Sequence, residues 1–155
     1  MKPDIEISVN NLKEVATLLN TMLADEYILY TKTRNAHWNI QGNHFNELHK
    51  FFESQYESLD IIIDNTAERV RALGHFALGT LKDFLQVARL SEQNDNFSGQ
   101  NYIVQTLLTD HESIIRTLNK DIIAVTEYKD LGTADFMTGI MEQHEKMAWM
   151  LRSYL

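Results

Sequence analysis

The sequence predicts an all-α protein: a four-helix bundle with a short extra helix in the long crossover between its second and third helices. Three observations predict it. The single proline is Pro3, ahead of any helical stretch, and the six glycines fall mostly where apolar periodicity stops; both residues are poor in helix interiors. Apolar residues recur at i, i+3, i+4 and i+7 through four long segments. No apolar run approaches the ~20 residues needed to cross a bilayer, so these apolar faces must cover one another. With 155 residues, 44% of them apolar, the chain is expected to form one domain, 1–155, with its own core.

Residues 1–9 read as an extended arm, with Asn10 or Asn11 as the cap of the first helix. That helix carries Leu12, Val15, Leu19, Met22, Leu23 and Tyr30 at helical spacing and closes near His37. Its Asp25 and Glu26 read as polar-face or interface groups. Gly42 interrupts the pattern, which resumes with Phe45, Leu48, Phe51, Phe52, Leu59, Ile62, Ile63, Ala67, Val70 and Leu73, so the second helix should span about residues 43–73. From about His75 to Gly99 the chain crosses over, with a short amphipathic segment, residues 81–87, introduced by Thr80 and a polar loop, SEQNDNFSG, at its end. A link of this length is expected where neighbouring bundle helices run parallel.

The third helix should run over residues 100–127 and bury Ile103, Leu107, Leu108, Ile114, Ile115, Leu118 and Ile122. Asp110, His111 and Glu112 are consecutive and point in different directions, so they read as surface or inter-subunit polar groups. Thr133 is expected to cap a fourth helix over about residues 134–154, with Asp135 in its first turn and a buried stripe of Phe136, Ile140, Met141, His144, Met147, Ala148 and Leu151. His144 lacks the Glu-x-x-His spacing of di-iron bundles. His44 and His75 read as non-ligands.

Chemistry concentrates between Ala36 and Gly74. A short turn brings His37, at the end of one helix, beside His49, in the second turn of the next, and Glu53 lies one turn beyond His49 on the same face. Asp64 and Glu68 form a second pair, four residues apart. The fifteen residues from His49 to Asp64 span roughly 22 Å of helix, so one chain cannot close a site from both pairs. Two copies crossing antiparallel near Ser58 and Leu59 would set His49 against Glu68 and Glu53 against Asp64, giving two equivalent sites by two-fold symmetry. Imidazoles with carboxylates suit iron, manganese or zinc, and the absence of Cys removes thiolate-rich sites; iron redox chemistry is the preferred reading. Taken singly, each of these residues is more often a cap or a solvated polar group, and their joint placement is what argues for a metal.

The run His37-Trp38-Asn39-Ile40 with Gly42, Phe45, Leu48-His49, Phe52, Tyr56, Asp64, Ala67-Glu68-Arg69 and Leu73-Gly74 resembles the Dps family of mini-ferritins. The resemblance implies a ferritin-like four-helix subunit, a hollow homododecameric shell and a ferroxidase site at the dimer interface. Within it His37, His49, Asp64 and Glu68 match the catalytic metal ligands, and Glu53 stands where many members carry an Asp beside them. Trp38 matches an aromatic beside the iron that is thought to take part in electron transfer, as against a packed interface aromatic. Asp135 matches an acid lining a three-fold pore, with Glu127 and Asp130 nearby. The function implied is oxidation of Fe(II) by hydrogen peroxide or oxygen and storage of the ferric product, in the bacterial cytoplasm.

Composition bears on the alternatives. The formal charge of −8 disfavours direct DNA binding and favours cations. A DNA-compacting role would need a basic tail, whereas the N-terminal arm sets Lys2 among Asp4 and Glu6 and Leu155 follows directly on the last helix. A di-metal oxidase of organic substrates would need an apolar pocket beside the metals. The N-terminal stretch shows no apolar signal region.

Overall fold

The computed structural model describes residues 3–92 and 99–155, and every regular element among them is helical: α1 (Val9–Asn39), α2 (Phe45–Ala72), α3 (Leu81–Val87), α4 (Gln100–Glu127) and α5 (Leu131–Arg152). Four long helices form the bundle, and α3 lies in the crossover. Their apolar stripes meet in one core, built on Leu19, Leu29, Phe52, Leu59, Leu118 and Met137 among others. Among the described residues, no helix is long and apolar enough to cross a membrane.

Helices α1 and α2 are antiparallel neighbours joined by a tight turn, and α4 and α5 form a second such pair. Gly42 makes the first turn possible. Its φ of 116° is one that only glycine adopts readily, and a Cβ there would stand 2.8 Å from the Gln100 side chain. The same contact puts the start of α4 beside the start of α2, so these two helices run parallel, as the long crossover anticipates.

The crossover is fastened along α1. Asn20 bonds Phe76 O at 3.2 Å and Leu78 N at 2.9 Å. Phe84 stacks on Tyr27 and packs with Leu23 and Ala24 in a small second core. Asp25 then accepts from the backbone N–H groups of Arg89 and Leu90, at 2.6 and 2.9 Å, and pairs with the Arg89 guanidinium, which also reaches Asp121 on α4. Asp25 is therefore a buried anchor within the chain rather than the polar-face or interface group its sequence position suggested. The polar loop falls mostly on residues 93–98, outside the described residues.

Helix ends differ in three places from their sequence expectation. Ser8, not Asn10 or Asn11, caps α1, through a 3.1 Å bond from Asn11 N. Asp130, not Thr133, caps α5: its carboxylate accepts from Thr133 N at 2.9 Å and Thr133 Oγ1 at 2.6 Å. Thr133 supplies the bonded donors, which is why it looked like the cap itself. With α5 starting at Leu131, Asp135 lies beyond the first turn.

Candidate metal centre

The turn at Gly42 sets His37 and His49 face to face, with ring centroids 3.8 Å apart and planes inclined by 19°. Each ring is held by the other's backbone. His37 Nδ1 lies 2.7 Å from His49 O, and His49 Nδ1 lies 2.9 Å from His37 O. A carbonyl only accepts, so both Nδ1 atoms carry a proton, and in a neutral ring the lone pair then lies on Nε2. This is the arrangement in which histidine binds metals, with the remote nitrogen fixed by a carbonyl and the near one offered outward. The residues present therefore fit a divalent metal.

Aromatic rings wall the pair. Phe45 stacks on His49 with centroids 5.1 Å apart, and Tyr56 stands edge-on to His37 at 5.3 Å. Tyr56 Oη donates to Glu53 Oε1 at 3.4 Å. Burial, and then the Glu53 charge, push the Tyr56 phenol up, so it remains protonated. The Arg34 guanidinium carbon lies 5.0 Å from the Trp38 and Tyr56 ring centroids and 5.5 Å from that of Tyr30, whose hydroxyl accepts from Arg34 at 2.7 Å. Trp38 itself is mostly exposed. Sequence spacing did hold the signal for Tyr56, since 49, 53 and 56 follow i, i+4, i+7 on one face of α2.

The other candidate residues lie apart from this pair. Asp64 and Glu68 are exposed on α2, roughly 22 and 28 Å along the helix axis from His49. Among the described residues of one chain, no three His, Cys, Asp or Glu side chains could hold a metal ion together. At the far turn, Glu127 and Asp135 are exposed. Asp130 is not available to line a pore as expected. It is buried, and its carboxylate is spent on the α5 cap and on Arg69, 3.2 Å away on α2.

A second polar group lies where the sequence suggested only bundle core and surface. Glu26, His111 and His144 are fully buried between α1, α4 and α5, and Asp110 is buried and paired with Lys32. Asp110 and His111 were expected at the surface or between subunits, and Glu26 on a polar face or at an interface. Burial raises the Asp110 carboxyl above its ordinary value, and Lys32 opposes the rise.

The chain as a whole is similar to known proteins. The ferritin-like domain family matches residues 16–155. A low temperature-induced protein of Nostoc sp. strain PCC 7120 is 45% identical over 91% of this chain and 79% of its own length. DNA protection during starvation protein 2 of Bacillus anthracis is 34% identical over 92% of this chain and 97% of its own. The crystal structure of the Dps protein of Vibrio cholerae O1, described as a member of a broad superfamily of ferritin-like diiron-carboxylate proteins, superposes with a TM-score of 0.89 at 28% identity, covering 99% of both chains.

Proposed function

Since the chain belongs to the Dps family of ferritin-like proteins, we propose that it is a ferroxidase and iron store, binding Fe(II) between paired subunits and oxidising it with hydrogen peroxide or oxygen. One observation carries this reading: the reciprocal backbone clamp that engages Nδ1 of His37 and His49 and leaves both Nε2 atoms outside it. Such a pair needs carboxylates to hold iron through its change of charge, because hard oxygen anions favour Fe(III). Asp64 and Glu68 are those carboxylates, contributed by the two-fold partner, and Glu53 joins them from the histidine side. Two sites per dimer follow.

Fe(II) is the substrate. Glu127 and Asp135, exposed at the turn between α4 and α5, would concentrate it at a three-fold entrance of a homododecameric shell by their negative potential. Two Fe(II) ions and one peroxide, with two protons, give two Fe(III) ions and two waters. Removing both reagents protects DNA chemically, without contact, which agrees with a formal charge of −8.

The test is complementation. One variant lacks the histidines (His37→Ala, His49→Ala) and the other the carboxylates (Asp64→Asn, Glu68→Gln), and each is inactive alone. When the two are dissociated and reassembled together, a mixed dimer has one site with every defect and one with none. Random pairing restores roughly a quarter of the wild-type sites, by two-fold symmetry. Mixed dimers confirmed by mass spectrometry but without ferroxidase activity would refute the shared site.

A further inference from the structure

We propose that the cavity between α2 and α5 binds hydrogen peroxide and that Met150 is oxidised there to its sulfoxide, a route for removing peroxide that needs no iron. It goes beyond the ferroxidase reading and does not depend on it. The cavity has a volume of about 320 Å³. Its apolar lining is Phe51, Met147 and Met150, and its polar lining is Ser54, Gln55, Ser58, Gln143 and Lys146. Met147 and Met150 stand at i and i+3 on one face of α5. Met150 is 36% exposed, whereas Met147 is 7% exposed and Met22 and Met137 are buried in the core.

The polar lining selects a ligand that donates hydrogen bonds. The Ser54 hydroxyl donates to Phe51 O at 2.8 Å and the Ser58 hydroxyl to Ser54 O at 2.9 Å. Gln143 Nε2 donates to Gly139 O at 3.3 Å and Gln55 Nε2 to Met147 O at 3.4 Å. With those donors turned to backbone carbonyls, the four side chains keep oxygen lone pairs for a ligand. Gln55 carries the strongest demand, because the residue is 3% exposed and its Oε1 is buried without a partner, and an unmet buried acceptor is costly. Hydrogen peroxide brings two O–H donors, one for Gln55 Oε1 and one for a serine oxygen. Among the described residues no carboxylate lines the cavity, and Lys146 is the charged group there.

Held in this way, the peroxide shares the cavity with a thioether. A lone pair of the Met150 sulfur attacks one peroxide oxygen, and the S–O bond forms as the O–O bond breaks. The proton on the attacked oxygen passes to the departing hydroxide, and Lys146 donates a hydrogen bond to that departing oxygen while its negative charge develops. Sulfur loses two electrons and peroxide gains them. The products are one methionine sulfoxide and one water, so atoms and charge balance. Met150 reacts ahead of Met147 because its sulfur-bearing side chain is the more exposed of the two, and oxidation follows exposure. Methionine sulfoxide is reversible through dedicated reductases, so the same residue can serve again.

The experiment treats the iron-free, assembled protein with hydrogen peroxide under a chelator, quenches samples with catalase at intervals, and locates added oxygen on each methionine by fragment-ion mass spectrometry. Met141, partly buried on the same helix and outside this cavity, is the internal reference. Met150 should gain its oxygen well ahead of Met141, and the lead should vanish in urea. Exposure alone also favours Met150, so two variants decide. Gln55→Leu removes the unpartnered acceptor and Lys146→Gln removes the cation; each should slow Met150 oxidation severalfold and leave Met141 unchanged. Lys146 is exposed, so its variant keeps the test open even where Gln55→Leu disturbs the fold. An unchanged Met150 rate in Lys146→Gln or in a folded Gln55→Leu overturns the proposal, as does a wild-type Met150 oxidised no faster than Met141. Iron is absent throughout, so either outcome leaves the ferroxidase reading where it stands.

Discussion

His111 and His144 meet Nδ1 to Nδ1 at 2.9 Å in the centre of the bundle, both fully buried. One nitrogen must donate and the other accept. His144 Nε2 lies 2.9 Å from Glu26 Oε1, so with Glu26 ionised His144 carries its proton on Nε2 and accepts at Nδ1. His111 is then the donor, and its Nε2, which has no partner, is a bare lone pair.

The first prediction concerns acid. Burial, and secondarily His144, hold His111 well below its ordinary value, so it stays neutral in the fold while an unfolded chain protonates it near pH 6.5. The unfolded state binds the extra proton, so this contribution to stability is complete above about pH 6.5 and falls as pH drops below it, by up to ~1.4 kcal/mol per pH unit. Urea midpoints at fixed protein concentration should decline between about pH 6.5 and 5. His111→Leu should flatten that decline, and an equally steep fall in the variant would show that other groups cause it.

The Asp25 anchor gives a second prediction. Asp25→Ala removes one of the two carboxylate partners of Arg89, leaving Asp121, and the acceptor for two backbone N–H groups at once. Breaking a buried pair costs about 3–5 kcal/mol, and the partial exposure of Arg89 argues for the lower end. Hydrogen exchange should quicken around residues 88–90 before the rest of the chain responds. A loss below about 1 kcal/mol would mean that the crossover does not depend on this carboxylate.

These two polar groups also show where sequence reading reaches its limit. Periodicity located all five helices, because apolar spacing is a local property, and the Thr80 cap and the Gly42 break are local as well. Glu26, His111 and His144 are far apart in sequence, and their meeting depends on the rotation of three helices about their own axes, which no spacing within one helix fixes. Asp110, His111 and Glu112 do point in different directions as consecutive residues must, yet two of those directions face inward. The His37 and His49 pair was legible because one tight turn joins them. The clamp of ring nitrogens on opposite carbonyls was not, since it depends on the exact approach of two backbones.

Lys129 provides a third prediction. It follows the α4 C-cap with φ of 66°, in the left-handed region, where its N–H bonds Thr126 O and the next N–H bonds Val125 O. Glycine is favoured at that position, and a side chain there costs roughly 1–2 kcal/mol. Lys129→Gly should therefore raise the unfolding midpoint by a gain of about 1 kcal/mol, once the extra freedom of glycine in the unfolded chain is subtracted. A lower midpoint would show that the lysine side chain contributes more than its backbone strain costs.

The last prediction separates ligands from supports. Phe45 and His37 both touch His49, one by stacking and one through the clamp. If the Nε2 atoms hold iron, His37→Ala removes a donor and loosens the ring that remains, and Fe(II) oxidation should slow well beyond the ~10–100-fold that loss of an orienting partner costs. Phe45→Leu removes only a wall and should stay within that range. Asp64→Asn with Glu68→Gln should match His37→Ala in rate, although these carboxylates are remote from the histidines in their own chain. Size-exclusion chromatography should show all three variants assembled as wild type, since each leaves exposed apolar residues of the α2 face, such as Ile61, in place. A carboxylate variant that oxidises iron at the wild-type rate would leave the histidine pair as a binding site without the oxygen donors that ferric iron requires.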